Sequence, residues 1–224
     1  MSGLPLMLFA AGFGTRMGHL TAHRPKPMIP VAGRPLIDHA IALGRGAGVT
    51  RIVANTHYLP HMIEPHLSDE GVVVSHEAPE ILDTGGGLVH ALPLLGDGPV
   101  LTLNTDALWT GPNPLSTLAE AWEDGMDALL LCVPPDRAHG REGPGDFTLT
   151  DGRLSRGGDM IYTGAQIIQP HVLGAARDRV FSLSRIWTDL AARGTLRGIV
   201  HEGHWADVGH PGGIALAEAM LADV

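Results

Sequence analysis

Continuously apolar runs alternate along this chain with segments of helical periodicity. The first run, LPLMLFA at positions 4–10, leads straight into the glycine-rich AGFGTRMG. That pattern predicts a parallel strand buried on both faces that feeds a loop. Pro35 suits a first helical turn, and Leu36, Ile37, Ala40, Ile41 and Leu43 predict a helix running to the glycines at 44–48. RIVANT (51–56) and VVVSHE (72–77) read as strands, and PHMIEPHL (60–67) as a short helix that Pro65 should interrupt. GGGLVHALPLL (85–95) predicts a helix opened by glycines, and VLTLNTD (100–106) a fourth apolar strand that ends at an acid. A helix over roughly 115–123 and the strand DALLLCV (127–133) follow. The alternation to about residue 133 predicts βαβ units. It therefore points to an α/β fold with a doubly wound, mostly parallel sheet and ligand loops at the carboxyl ends of its strands.

After Pro134 and Pro135 the texture changes. GPGDFTLTDGRLSR predicts a hairpin with Asp151-Gly152 as its two-residue turn. MIYTGAQIIQP reads as a further strand, SLSRIWTDLAARG as a helix ending at Gly194, and HWADVG leads into a last helix, GGIALAEAMLAD. No repeat, low-complexity linker or clean boundary divides the chain, so the expectation is one domain over 1–224 with an elaboration over roughly 134–200.

Composition narrows the function more than the fold. A length of 224 residues, 44% hydrophobic and 17% charged, can bury a sizeable core and excludes disorder as the main state. The net charge of −9 argues against sequence-independent binding to nucleic acid or to an anionic membrane surface. The single cysteine, Cys132, lies in an apolar run. It excludes an intrachain disulfide framework and reads as a small buried hydrophobe. No apolar run reaches the roughly 18 residues that span a bilayer. MSGLPLMLFAAG lacks the positive start of a signal peptide, so the expected location is cytoplasmic.

Among fifteen lysines and arginines, Lys26 is the only lysine, and it stands between Pro25 and Pro27. Codon bias is one reading. The other is chemical: an ammonium on a thin stem suits a narrow phosphate site, and the prolines stiffen the backbone that aims it. The loop AAGFGTRMG can converge backbone N–H groups on phosphate oxygens, with Arg16 either joining them or lying solvated on the surface. The loop is not a P-loop, and Met17 replaces the third glycine of a dinucleotide fingerprint, which counts against a dehydrogenase. Asp106 and Asp207 each end a short apolar stretch. They are candidate Mg²⁺ ligands or turn-forming acids, and Asp83, Asp146 and Glu80 are weaker candidates of the same kind. Asp83 could equally cap the helix that follows it. Thirteen histidines raise a zinc site at His57, His61 and His66 or at His201, His204 and His210. Pro60 and Pro65 and the lack of a nearby cysteine speak against it.

The stretch LFAAGFGTRMGHLTAHRPKPMIPVAGRPLIDHAI, followed in order by DTGGGLVHAL, LTLNTD and HWADVG, resembles the sugar-1-phosphate nucleotidylyltransferases. TGGG, ALPLLGD and the GDF around Asp146 are most similar to the N-acetylmuramate-1-phosphate uridylyltransferases within that family. The resemblance implies a Rossmann-like, GT-A type nucleotidyltransferase fold, with the hairpin region on the sugar side. It implies that Ala11, Gly12, Phe13, Gly14 and Thr15 hold the nucleotide and that Gly85 and Gly86 lie against the nucleobase. It places Arg16 on the β- and γ-phosphates, Lys26 on phosphate at the reacting centre, and Mg²⁺ on Asp106 and Asp207. Asn104, Asp146 and Gly164 become sugar-side contacts. The implied partners are a nucleoside triphosphate, UTP by the nearest likeness, and a sugar-1-phosphate, N-acetylmuramate-1-phosphate by the same likeness. Mannose-, glucose- or heptose-1-phosphate with GTP, CTP or dTTP, and a non-catalytic nucleotide-sugar-binding regulator, remain alternatives. Two departures bear on the sugar: Thr105 stands where the family usually has glycine, and Asp83 where the nearest likeness has glutamate.

Overall fold

In a computed structural model, which describes residues 3–175 and 178–223, the apolar runs are strands and the periodic segments helices. The chain forms β1 (Pro5–Phe9), a small hairpin of β2 (Pro30–Val31) and β3 (Arg34–Pro35), α1 (Leu36–Gly46), β4 (Arg51–Thr56), α2 (Pro60–Asp69) and β5 (Val73–His76). Next come α3 (Asp83–Leu95), β6 (Val100–Asn104), β7 (Ala107–Trp109), α4 (Pro114–Ala121), β8 (Ala128–Val133) and β9 (Ala138–His139). The chain continues through β10 (Phe147–Thr150), β11 (Arg153–Arg156), β12 (Ile161–Ile168), α5 (Leu183–Ala192), β13 (Leu196–Val200), β14 (Trp205–Asp207) and α6 (Pro211–Ala222).

Nine strands form one sheet in the order β10-β11-β13-β8-β12-β6-β1-β4-β5. The segment β6-β1-β4-β5 is wholly parallel, as helical crossovers require. β1 is buried on both faces because its residues alternate between two cores. Leu6 and Leu8 join the cluster under α1, α2 and α4, and Met7 joins Leu88, Ala91 and Ile186 under α3 and α5. The chain moves from β1 to β4 on one side and returns through α3 to β6 on the other. Between β1 and β6 lies the switch point where such sheets open a crevice.

Beyond β6 the sheet is mixed. β12 inserts antiparallel between β6 and β8, since it follows a hairpin and not a crossover helix. The hairpin β10–β11 turns at Asp151 and Gly152, both with positive φ, and extends the same sheet through β11 and β13. A second sheet, β7-β14-β9, was not legible in the sequence, and it carries Asp207 at the end of β14. One expectation is corrected: α2 runs unbroken through Pro65. Both Pro65 and His61, whose carbonyl loses its usual partner, are exposed, so the missing hydrogen bond falls at the solvent-accessible surface and not in the core. Among the described residues no helix is long and apolar enough to cross a membrane. Cys132 is fully buried and burial raises its pKa well beyond the ordinary thiol range, as fits a packing role.

Candidate active site

The loop after β1 and the turn after β6 meet at the switch point and form a first compartment. Ala10, Ala11 and Gly12 line one wall, Asn104, Thr105 and Asp106 another, with Lys26, Pro27, Asp83 and Thr84 closing the rest. A polar chain under its floor holds the loop. Asn55 Oδ1 accepts the Ala10 N–H at 2.7 Å, Asn55 Nδ2 donates to Glu77 Oε1 at 2.7 Å, and Glu77 Oε2 accepts the Leu82 N–H at 2.7 Å. Asn55 and Glu77 are almost fully buried. They link the ends of β1 and β4 to the approach to α3. The cue for Asn55 was a polar residue inside the apolar RIVANT, but alternation alone did not say what it bonded. Replacing Asn55 by Ala leaves the Ala10 N–H and one Glu77 oxygen without these partners. A loss of about 1–3 kcal/mol is expected in urea unfolding, together with weaker nucleotide binding in a fluorescence titration. Unchanged binding would show that the loop holds its shape without Asn55.

Gly14 adopts a left-handed conformation (φ 64°) at the head of the 3₁₀ segment Thr15–Thr21. A Cβ on Gly14 would lie 2.9 Å from both Lys26 Cβ and Thr21 Cγ2. Glycine therefore serves twice here, in backbone geometry and in letting the loop press on the lysine stem. Pro25 is extended and Lys26–Met28 forms one 3₁₀ turn, so the two prolines frame the turn that carries the lysine. Lys26 is 9% exposed, and its Nζ donates to Asp106 Oδ2 at 2.7 Å.

A second compartment adjoins the first across Asn104 and Asp106. It is lined by Arg16, Arg141, Asp146, Tyr162, Gly164, Trp205 and Asp207. Burial raises the Asp207 carboxyl above its ordinary value, and Asp106 raises it further; Lys26, Arg16 and Arg141 act against both. Two carboxylates thus face each other at the junction, with one lysine and two guanidiniums around them. Burial of an acid that is only partly neutralised fits a divalent cation, since Mg²⁺ takes one or two carboxylates and completes its shell with water and phosphate oxygens. Asp146 accepts the Tyr162 N–H on Oδ2 at 3.0 Å and Arg141 Nη2 on Oδ1 at 3.0 Å. Gly164 backs directly onto the Asn104 side chain.

The structure brings together most of the residues singled out above. Ala11 and Gly12 line the first compartment, while Phe13 and Thr15 face a shallow groove on the outer side of the loop with Tyr58. Gly85 and Gly86 do not line the first compartment. Their N–H groups both donate to the Phe181 carbonyl, at 2.9 and 3.1 Å, and their Cα atoms abut Phe181 and Arg179. They are small so that the segment before α5 can pack on the first turn of α3. Asp83 and Thr84 line the compartment in their place. Asp83 also serves the helix start, since its Oδ1 accepts the Thr84 N–H at 2.6 Å. Thr105 donates its hydroxyl to the Phe9 carbonyl at 2.8 Å and borders the first compartment. Glu80 pairs with Arg179 at 3.3 Å on the surface, away from both compartments. The histidines of the first proposed cluster take separate partners, His57 on the Glu77 carbonyl and His66 on Asp38. In the second cluster, His201 is buried and its Nε2 donates to the Thr110 carbonyl at 2.9 Å; burial lowers its pKa, which keeps it neutral.

Comparison with known proteins agrees with this geometry. Residues 6–207 match the family described as the MobA-like NTP transferase domain. The chain is 37% identical to an N-acetylmuramate alpha-1-phosphate uridylyltransferase of Caulobacter vibrioides, over 97% of this chain and 96% of that one. Identity to the enzyme of the same name from Neisseria meningitidis is 33%, over 91% and 92%. The fold superposes on the inositol-1-phosphate CTP transferase of T. maritima with a TM-score of 0.82 at 17% identity, covering 100% of this chain and 98% of that one. A UDP-glucose pyrophosphorylase complexed with UDP-glucose superposes with a TM-score of 0.79 at 17% identity, covering 99% and 98%.

Proposed function

Because the chain belongs to the MobA-like NTP transferase family, we propose that it transfers the nucleoside monophosphate of UTP to N-acetylmuramate-1-phosphate, giving the nucleoside-diphosphate sugar and pyrophosphate. The observation that carries the reaction class is the junction of the two compartments, where Lys26, Asp106, Asp207 and Arg16 meet. The substrate pair is supported by the end-to-end likeness to two enzymes of that name.

In this reading the backbone of Ala11 and Gly12 and the loop through Thr15 cradle the triphosphate, and Arg16 holds the β- and γ-phosphates. Asp83 and Thr84 flank the nucleoside. The sugar occupies the second compartment against Asn104, Asp146 and Gly164. An oxygen of the sugar phosphate, ionised near neutral pH, attacks the α-phosphorus in line. A new P–O bond forms as the bond to the β-phosphate oxygen breaks, and pyrophosphate leaves with the electron pair. The nucleophile needs no base, so positioning and charge neutralisation suffice. Lys26, now on Asp106, supplies a positive charge that reaches the transferring phosphoryl group. Asp106 and Asp207 would hold Mg²⁺, which supplies Lewis-acid charge neutralisation at the phosphates.

The test is pyrophosphate release with Mg²⁺, crossing UTP, GTP, CTP and dTTP against N-acetylmuramate-, N-acetylglucosamine-, glucose- and mannose-1-phosphate. Release confined to UTP with N-acetylmuramate-1-phosphate is the expected result. A different productive pair would move the substrate and keep the mechanism. Nucleotide binding without release in any combination would replace the enzyme by a regulator.

A further inference from the structure

The second compartment contains a cation that the phosphate chemistry does not use. Arg141 sits on the short segment between β9 and β10, and its side chain keeps 34% of its surface. This segment is anchored next to the reacting centre. Gly140 has φ 75° and packs its Cα against the Asp207 backbone, and His210 Nε2 bonds the Gly140 carbonyl at 3.3 Å. At the other end Gly145 abuts the backbone of Asp159, and the Asp146 N–H donates to Met160 at 2.8 Å. The guanidinium is thus carried on a braced loop and not on a free surface arm.

Its environment is acidic. Asp106, Asp146 and Asp207 all border this compartment. A sugar that brings a negative charge of its own, besides the phosphate, meets repulsion there unless a cation faces it. Lys26 is bound to Asp106, and Arg16 lies toward Asp207, where a Cβ at Gly209 would meet Arg16 Nη1 at 3.0 Å and Asp207 Oδ2 at 2.7 Å. Both cations stand at the phosphate end. Arg141 also lies close enough to Asp207 to act on its carboxyl, but its ion pair is with Asp146 toward the sugar end, and that contact engages one of its five N–H donors. The remaining fork suits a carboxylate, which guanidinium binds in bidentate fashion.

We propose that Arg141 is a specificity-determining residue that recognises a carboxylate carried on the sugar ring itself. This rests on the reading of the substrate as N-acetylmuramate-1-phosphate, whose lactyl ether carries such a group and whose absence is all that distinguishes N-acetylglucosamine-1-phosphate. Asp146 then holds the guanidinium in place while it accepts the Tyr162 N–H, and the sugar carboxylate takes the outward edge of the fork.

The experiment measures dissociation constants of the two sugar phosphates by calorimetry, for the wild-type protein and for Arg141→Gln and Arg141→Lys. The wild type is expected to bind N-acetylmuramate-1-phosphate more tightly. Arg141→Gln should weaken that affinity by about 10- to 100-fold, the usual loss of a charge-assisted contact. It should shift the affinity for N-acetylglucosamine-1-phosphate by less than about threefold, well inside one such contact. Arg141→Lys, which keeps the charge and loses the fork, should fall between. An equal loss for both sugars would overturn the proposal, since it would mean that Arg141 serves the phosphate or merely steadies Asp146. No loss for either would overturn it as well. A wild type that binds both alike and releases pyrophosphate with another sugar would remove the substrate reading itself, a result separable from the variant data.

Discussion

Asp207→Asn is expected to cut turnover by about 10³-fold or more, the several kcal/mol that a metal-held phosphate contributes, and to make the resting protein more stable. The two effects have one cause. Burial and the neighbouring Asp106 raise the Asp207 carboxyl above its ordinary value, so the folded protein holds this proton more tightly than the unfolded chain does. For such a group the stabilising contribution is complete below the unfolded pKa and is lost as pH rises through the folded one. At neutral pH the ionised Asp207 is therefore a cost, which the neutral amide of asparagine removes. In chelator at pH 7 the variant should melt higher by about 2–4 °C, the shift that about 1 kcal/mol gives in a domain of this size. The gain should shrink as the pH falls toward 4. A variant that melts lower at both pH values would make Asp207 a structural partner and not a poised ligand.

Lys26→Ala is expected to lower kcat/KM by about 10²–10³-fold, as removal of a single charge-stabilising donor does when it acts in the transition state. The ammonium is held at 2.7 Å from Asp106 with little solvent access, so its charge is not diluted by water as a surface lysine's would be. Lys26→Arg should not restore activity. Gly14 presses on the lysine stem, and the wider guanidinium fork has no room to reach the same point. The fall should appear mainly in kcat, because Asp106 already neutralises the lysine in the ground state. A loss confined to KM, measured over a range of sugar phosphate at saturating nucleotide, would assign Lys26 to ground-state binding. Kinetics unchanged in Lys26→Ala would remove its role altogether.

Much of the molecule is determined by local pattern. The apolar runs at 4–10, 51–56, 100–106 and 127–133 can be satisfied only as strands covered on both faces, which requires crossover helices and hence a parallel sheet around β1. Proline-braced Lys26, the glycine loop and the acids at strand ends are also local, because each depends on residue type and on neighbours within a few positions. The family resemblance adds order to these motifs, and in the structure Lys26, Asp106 and Asp207 lie around one junction.

The tertiary structure alone decides what depends on who approaches from elsewhere. Gly85 and Gly86 read as a ligand-contacting pair, yet the residues that need their lack of side chain are Phe181 and Arg179, nearly a hundred positions away. Asn55 stands out in RIVANT only as a polar residue, and with Glu77 it comes to underlie the site only because β4 lies beside β1. Arg141 is one of fourteen arginines until β9 pairs with β14 and sets it beside Asp207. Spacing along the chain records which elements form, because hydrogen bonding and burial within an element are short-range. Which side chains face each other is set by strand order, a long-range choice that no local periodicity encodes.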